Sequence, residues 1–264
     1  MEILGFFLAA LVGISLGLIG GGGSILMVPI LVYIMGMEPM PATSYSLFVV
    51  GMTSLVGAAN NYRKGLVKIR IAFLFGLSSI ATVFLTRKLL IPIIPDQLFK
   101  LESFVVTKNL ATMVLFAILM LMASMAMIRS TPAPSMTSSS NTLGYVNLFS
   151  YGVLVGMVTG FLGAGGGFLI IPVLVLVLSL PMKEAVGTSL LIIALNSLIG
   201  FTGDLGNFDI DWSKLLLITL IAVIGIFIGG WLSKMIDGNK LKKAFGWFVL
   251  LMGAYIILKE LFLQ

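Results

Sequence analysis

Long apolar segments alternate with short polar connections along the whole chain. The first apolar segment runs from Ile3 to Met35 and is interrupted chiefly by four consecutive glycines, Gly20–Gly23. One straight helix of this length would measure about 50 Å at roughly 1.5 Å per residue, whereas a bilayer core is about 30 Å thick. Each glycine disfavours a helix by about 1 kcal/mol relative to alanine. The pattern therefore predicts a break at the glycines, followed by a shorter helical segment from Ser24 to about Gly36.

The remaining apolar segments predict further helices that span a membrane, with a proline-bearing loop at residues 92–102. Residues 129–142 are rich in Ser, Thr and Pro and lack apolar periodicity, which predicts a flexible linker. The chain then divides into a first membrane repeat, residues 1–128, the linker, and a second membrane repeat, residues 143–264. The expected helices after the first break cover approximately residues 42–59, 71–85, 104–128, 143–162, 168–180, 185–202, 212–233 and 244–258.

The two halves repeat each other at one constant offset, which is the separation in the chain between Gly17 and Gly160. Gly17–Gly57 aligns with Gly160–Gly200 without a gap, and 14 of the 41 aligned positions are identical. The identities include five glycines, a proline and two serines in one register, which an apolar composition alone would not produce. We infer an internal duplication of about half the chain.

The composition agrees with a membrane protein. Hydrophobic residues make up 59% of the chain and charged residues 10%, whereas soluble domains carry roughly 25% charge. The net charge of +6 lies mostly in short connections, which favours a role in membrane orientation over nucleic-acid binding. The chain has no Cys and no His, so we expect no cofactor, no metal site and no enzymatic activity. Because no basic leader precedes the first apolar segment, we expect the N-terminus to be retained.

The charges between the predicted helices indicate the topology. The connection at residues 61–70 carries four basic residues and no acid, while its counterpart at 204–213 carries three acids and no Lys or Arg. Since orientation follows Lys and Arg, the equivalent connections should lie on opposite sides. This requires an odd number of crossings per copy, which holds if the glycine-broken segment is a hairpin and fails if it is one broken crossing. The basic excess of residues 87–108, on the outer side in this scheme, disagrees.

The predicted fold is thus an all-α polytopic membrane protein with two inverted-topology repeats and glycine-broken helices or hairpins. Secondary transporters typically have this architecture, with the substrate near the midplane at the breaks. A segment that begins after a break presents unpaired N–H groups and the positive end of its dipole, which favours an anion. The candidate substrate-binding residues are Gly20, Gly21, Gly22, Gly23, Ser24, Ser44, Ser46, Gly163, Gly165, Gly166, Gly167, Thr188, Ser189, Asn196 and Arg87.

Glycines, hydroxyl residues and Arg87 also have simpler interpretations, which do not involve a substrate. Glycines in membrane helices often serve close packing, which we expect for Gly13 with Gly17 and for Gly225 with Gly229. A single Ser or Thr commonly bonds to the backbone of its own helix. Arg87 fits an interfacial anchor as well as a residue that guides anions.

The glycine–proline repeats, the A-x-x-x-S-L start of each following helix and the loop Tyr62–Val67 resemble the sulfite exporter TauE/SafE family of membrane permeases. The resemblance implies a multi-pass transporter of the cytoplasmic membrane. Its partners would be the lipid bilayer and a small sulfur-containing anion such as sulfite, thiosulfate, sulfoacetate or another organosulfonate. We expect export by alternating access, with an anion channel or a non-transporting membrane scaffold as the alternatives.

The resemblance also carries residues over to this chain. Thr188 and Ser189 match the family's G-T-S-L pattern, from which the first copy departs. The motif matches imply a site scaffold that consists of Gly20, Gly22, Gly23, Pro29, Gly163, Gly165, Gly166 and Pro172.

Overall fold

The structure is a computed structural model of the chain, and it describes residues 2–21, 23–95, 97–101, 104–129, 141–162, 165–176, 178, 180–233, 235 and 238–262. Nearly all of these residues are helical. The elements of the first half are α1 (Glu2–Ile19), α2 (Ser24–Pro29), a π-helical segment (Ile30–Ile34), α3 (Pro39–Arg63), α4 (Ile69–Leu85), a second π-helical segment (Thr86–Leu90), α5 (Ile91–Ile93), β1 (Gln97–Leu101), β2 (Phe104–Thr107) and α6 (Lys108–Arg129). Those of the second half are α7 (Asn141–Leu162), α8 (Gly167–Leu176), α9 (Met182–Asp204), α10 (Trp212–Leu232) and α11 (Gly238–Phe262).

The predicted all-α polytopic membrane protein is confirmed. Within the described ranges, four helices are long and apolar enough to cross a membrane, namely Pro39–Arg63, Ile69–Ile93, Met182–Asp204 and Trp212–Leu232. Shorter apolar helices accompany them at Ile3–Ile19, Ser24–Ile34, Lys108–Met122 and Phe149–Leu162. Most of the predicted linker lies outside the described residues, so the division into two repeats stays a prediction.

A small β-hairpin replaces the start of one predicted helix. The segment expected to be helical from residue 104 begins instead with β2, which pairs antiparallel with β1, and α6 starts at Lys108. Phe104, Val105 and Val106 are aromatic or β-branched residues, which fit a pleated strand well. The helix is therefore shorter than its apolar pattern indicated.

The first glycine break turns the chain back along α1. A Cβ added at Gly23 would overlap with Ser15, near the end of α1, and one at Gly5 would lie 2.6 Å from Cγ of Met35. The residues after the break thus return towards the start of α1. The broken apolar segment is a hairpin and not one broken crossing, which answers the question that the sequence left open.

The second break turns the chain in the same way. A Cβ added at Gly166 would overlap with the side chain of Thr159, near the end of α7, and would lie 3.3 Å from Val155 one turn earlier. At the offset of the duplication, Gly166 and Val155 correspond to Gly23 and Val12, which are neighbours in the first hairpin. The duplication in the sequence therefore corresponds to a duplicated turn.

Helices at equivalent positions of the two copies run in opposite directions. Gly51 of α3 packs on Leu198 of α9, while Gly57 of α3, six residues later, packs on Leu190. These contacts make α3 and α9 antiparallel across the centre of the molecule. Opposite directions are what an inverted repeat requires, and the orientation of each copy in a membrane stays a prediction.

Close glycine contacts join α1 to α10, which come from different copies. A Cβ added at Gly13 would overlap with the backbone of Ala222, and one at Gly229 would overlap with the backbone of Ile14. Gly17 and Gly225 make equally close backbone contacts across the same interface. These four glycines therefore serve helix packing, as their spacing suggested.

Candidate functional site

The two glycine breaks meet in the interior of the molecule. A Cβ added at Gly21 would overlap with the backbone of Gly167, which begins α8. Gly165 has φ +67°, and a Cβ there would lie 2.8 Å from Val50 of α3 and 3.0 Å from Oγ of Ser197 of α9. Only glycine combines this backbone angle with such close approach. The second break is thus inserted between the two antiparallel helices α3 and α9.

Several buried polar atoms near the breaks have no hydrogen-bond partner among the described residues. Ser197 Oγ stands beside Gly165, and Thr159 Oγ1 stands beside Gly166. A buried polar atom without a partner costs about 1–3 kcal/mol, so such atoms are uncommon in native proteins. Apart from two nitrogens of Arg87, the buried side-chain atoms of the described residues that lack a partner are Ser46 Oγ, Thr53 Oγ1, Ser54 Oγ, Thr159 Oγ1, Asn196 Oδ1 and Ser197 Oγ.

Four of these residues occupy matching positions in the two copies. Thr53 and Ser54 of α3 align with Asn196 and Ser197 of α9 at the offset of the duplication. Because α3 and α9 pack antiparallel, the two polar pairs belong to the same interior region. The sequence had singled out Asn196, whereas the other three lay among ordinary Ser and Thr residues. The duplicated alignment was the signal that could have found them.

Three of the predicted hydroxyl ligands are already bonded. The Ser24 hydroxyl donates to the carbonyl of Gly21 at 2.8 Å, and the Ser189 hydroxyl donates to the carbonyl of Val186 at 2.9 Å. Both are local helix bonds of the kind that Ser commonly makes. Thr188 Oγ1 accepts from the backbone N–H of Lys68 at 3.0 Å.

The other predicted residues lie in different parts of the helix bundle. Gly20, with φ +88°, packs on Val186 at the start of α9. The Asn196 amide donates to Ser79 Oγ and leaves its Oδ1 without a partner. Ser44 and Arg87 lie apart from the breaks, at the end of the bundle where α3 begins and α9 ends. Gly22 and Gly163 lie outside the described residues, and the assignment of the whole set to substrate binding stays a prediction.

Arg87 lies in the interior, on the second π-helical segment, with 1% of its surface exposed. Its Nη1 donates to Asp204 Oδ2 at 2.7 Å, to Thr43 Oγ1 at 3.0 Å and to Ser44 Oγ at 3.3 Å. The Ser44 hydroxyl in turn donates to Asp204 Oδ2. Arg87 Nε and Nη2 are buried without a partner in the described part of the chain. The side chain is therefore not an exposed interfacial anchor.

Asp204 is the functional candidate that sequence reasoning missed. It is the last residue of α9, where the negative end of the helix dipole disfavours a carboxylate, and only 3% of it is exposed; Arg87 pairs with it there. The charge-based topology placed residues 87–108 and residues 204–213 on the same side of the membrane. The first segment has an excess of basic residues and the second carries acids, so the sequence contained a signal that the two could form an ion pair. The ion pair also neutralises one of the basic residues that disagreed with that topology.

A cavity of about 290 Å³ adjoins this ion pair. Asn207 and Pro92, in the wall, are exposed, so the cavity connects the protein surface with the buried pair. Among the described residues, no group of three or more acidic side chains is arranged to hold a metal ion. The cavity is lined by Met40, Ser44, Arg87, Ile91, Pro92, Lys108, Asp204, Asn207 and Phe208.

Apolar helices with paired breaks and buried polar groups define a multi-pass membrane protein with an internal polar site. The family model described as sulfite exporter TauE/SafE matches residues 5–256. The chain therefore belongs to the TauE/SafE family of membrane transporters, and the resemblance in its motifs is confirmed.

The relatives agree with this family. A probable membrane transporter protein of Xylella fastidiosa (strain Temecula1) is 30% identical over 252 residues, which cover 94% of this chain and 91% of that protein. The probable membrane transporter protein YdhB of Bacillus subtilis (strain 168) is 26% identical over 234 residues, which cover 89% of this chain and 91% of that protein. No solved structure matches the chain.

Proposed function

We propose that the protein exports a small sulfur-containing anion, such as sulfite, thiosulfate or an organosulfonate, across the cytoplasmic membrane. The anion would bind where the two glycine breaks meet. The observation that carries this proposal is the group of buried hydroxyls without partners beside the second break, at Thr159 and Ser197. A bound oxyanion would accept the hydrogen bonds that these hydroxyls do not make in the protein.

The second break offers backbone N–H groups and hydroxyls to an anion, so binding there does not require a lysine or arginine side chain. Helix α8 begins at Gly167, so its first N–H groups and the positive end of its dipole lie at the meeting point of the breaks. Hydroxyl donors from α7 and α9 would complete the coordination. Oxygen atoms of an oxyanion can accept several such bonds, which an apolar or cationic solute cannot.

Alternating access is supported by the arrangement of the helices. The equivalent helices α3 and α9 run in opposite directions, and the second break lies between them. A site between inverted copies can be exposed to each side in turn when one copy rocks against the other. The description of the family as sulfite exporters supports the proposal of export rather than uptake.

The test compares two Ser→Ala variants of fully buried serines. Ser197 has no hydrogen-bond partner among the described residues, whereas Ser124 on α6 donates to the carbonyl of Leu121 at 2.8 Å. We expect Ser197→Ala to lower the flux of labelled thiosulfate or sulfite in proteoliposomes about tenfold, because a hydrogen bond to a charged group is lost. Ser124→Ala should retain the flux of the unsubstituted protein.

Thermal shifts of the purified protein provide the binding measurement. Sulfite, thiosulfate, sulfoacetate or taurine should raise the melting temperature selectively over phosphate and chloride, since a ligand that binds only the folded state stabilises it. Absence of both a shift and a flux would overturn the proposal. Currents at channel rates in planar bilayers would instead support an anion channel, and a co-purifying protein without flux would support a scaffold.

A further inference from the structure

The buried ion pair between Arg87 and Asp204 joins the two copies and has no equivalent at the positions that the duplication relates to it. The positions that correspond to Arg87 and Asp204 at the offset of the duplication are Gly230 and Asn61, which carry no charge. The pair therefore makes one end of the molecule chemically different from the other. At the opposite end, the ion pair between Lys68 and Glu184 is partly exposed.

The ion pair uses only part of the guanidinium. Asp204 accepts through Oδ2 from Nη1, and the two hydroxyl contacts of Arg87 also fall on Nη1. The edge formed by Nε and Nη2 carries three N–H bonds and has no partner among the described residues. Two parallel N–H groups of this kind match two oxygens of one oxyanion. Arg87 thus retains an unused bidentate donor edge in a buried position.

The ion pair also ties helices of both copies together. Arg87 follows α4, Ser44 and Thr43 belong to α3, and Asp204 ends α9. Their hydrogen bonds join these three helices at one end of the bundle. Any movement that opens this end must break or exchange the bonds to Asp204.

The cavity connects the protein surface with the junction of these three helices at Arg87, Asp204 and Ser44. Arg87, Asp204 and Ser44 line it, as does Lys108, which adds positive charge. Ser46, two residues after Ser44 on the same helix, belongs to the interior polar group, since its buried hydroxyl has no partner in the described part of the chain. The junction therefore lies between the exposed wall of the cavity and the interior hydroxyls.

We propose that the cavity is an outer oxyanion site, in which the transported anion binds the Nε and Nη2 edge of Arg87 and its negative charge repels the carboxylate of Asp204, which then leaves Nη1. The displacement releases α9 from α3 and the end of α4, so the anion itself opens this end of the transport path. Ser44 and Lys108 remain beside the released carboxylate. This inference rests on the proposed function and identifies the gate of that transporter.

The experiment measures protection of a cysteine introduced at Asn207, in a chain that has no native cysteine. Thiosulfate should slow modification of this cysteine by a small thiol reagent. In the Asp204→Asn variant, half-maximal protection should require about tenfold less thiosulfate, because the carboxylate that repels the bound anion is gone. Flux in proteoliposomes should fall in the same variant, since the gate no longer closes on Asp204.

Three further variants keep the result interpretable. Arg87→Gln should abolish protection, and the double variant Arg87→Gln with Asp204→Asn should fold without an unpaired buried charge and show no protection either. Glu184→Gln, at the opposite end, should leave the protection curve unchanged.

Two outcomes would separate this inference from the proposed function. Normal flux with equal protection curves for the Asp204→Asn variant and the unsubstituted protein would overturn the gate and leave the transporter intact. Absence of flux and of thermal shifts with every sulfur anion would overturn the proposed function and the gate together.

Discussion

Single glycines decide how closely the two halves of the molecule approach each other. Gly21 and Gly167 touch through backbone atoms, which cannot move aside as the end of a flexible side chain can. Other glycines have no such neighbours; a Cβ at Gly76 of α4 would meet only Cδ1 of Ile80 at 3.7 Å. The same residue type therefore has different functions at different positions, and the contacts separate them.

We expect Gly167→Ala to destabilise the protein and Gly76→Ala to leave its stability unchanged or slightly higher. The added methyl at Gly167 would overlap with Gly21 and lie 2.6 Å from Cδ1 of Ile193. Overpacking of a closely packed interior costs about 1–3 kcal/mol. The melting temperatures of both variants in detergent measure the difference, and equal values would contradict the close contact of the breaks.

The helices pair across the two copies rather than within each copy. Helix α1 packs closely on α10 through glycines on both helices, and α7 packs on α4 in the equivalent way, with Gly156 against Ser79. Without a hydrophobic driving force in lipid, helices associate through such small-residue contacts. The duplication thus yields interlocked halves, in which neither copy is complete without the other.

Adjacent glycines on α10 provide a test of this pairing. A Cβ at Gly229 would overlap with the backbone of Ile14, whereas one at Gly230 would meet only the Asn60 amide at 3.8 Å. Gly229→Ala should therefore separate α1 from α10 and reduce the yield of folded protein, while Gly230→Ala should be tolerated. Size-exclusion profiles and melting temperatures in detergent measure both. A folded, unshifted Gly229→Ala protein would argue against the interface.

Two ion pairs mark the opposite ends of the antiparallel helices α3 and α9. Lys68, after α3, bonds to Thr188 and Glu184 near the start of α9, which places these segments at one end. Asp204 and Arg87 lie at the other end, where α9 finishes and α3 begins. The inverted-repeat prediction assigns these ends to opposite sides of the membrane.

Cysteines introduced at Lys64 and Asn207, both exposed, should react with an impermeant thiol reagent from opposite sides of the membrane. A cysteine introduced at Met182, exposed at the start of α9, should react from the same side as the one at Lys64. Intact cells compared with inverted vesicles measure the sidedness. Labelling of the Lys64 and Asn207 positions from one side would rule out the inverted topology.

Local and periodic features of the chain were sufficient to predict the membrane class, most helices and the positions of the breaks, while the two inverted repeats stay a prediction. These predictions depend on apolar length, on glycine runs and on identities at a constant offset, none of which requires knowledge of the packing. The same features pointed to Asn196 and to the glycines that meet in the interior. They failed at α6, where residues with strand preference begin an otherwise apolar helix.

The burial of polar residues, and the lack of partners for some of them, could be known only once the helices were packed. Arg87 and Asp204 are 117 residues apart in the chain and come together because α4 and α9 pack side by side. The hairpin form of the breaks likewise depends on contacts such as that between Gly5 and Met35. Burial and pairing are properties of packed segments, since each side chain's partners are set by helices that the local sequence does not contain.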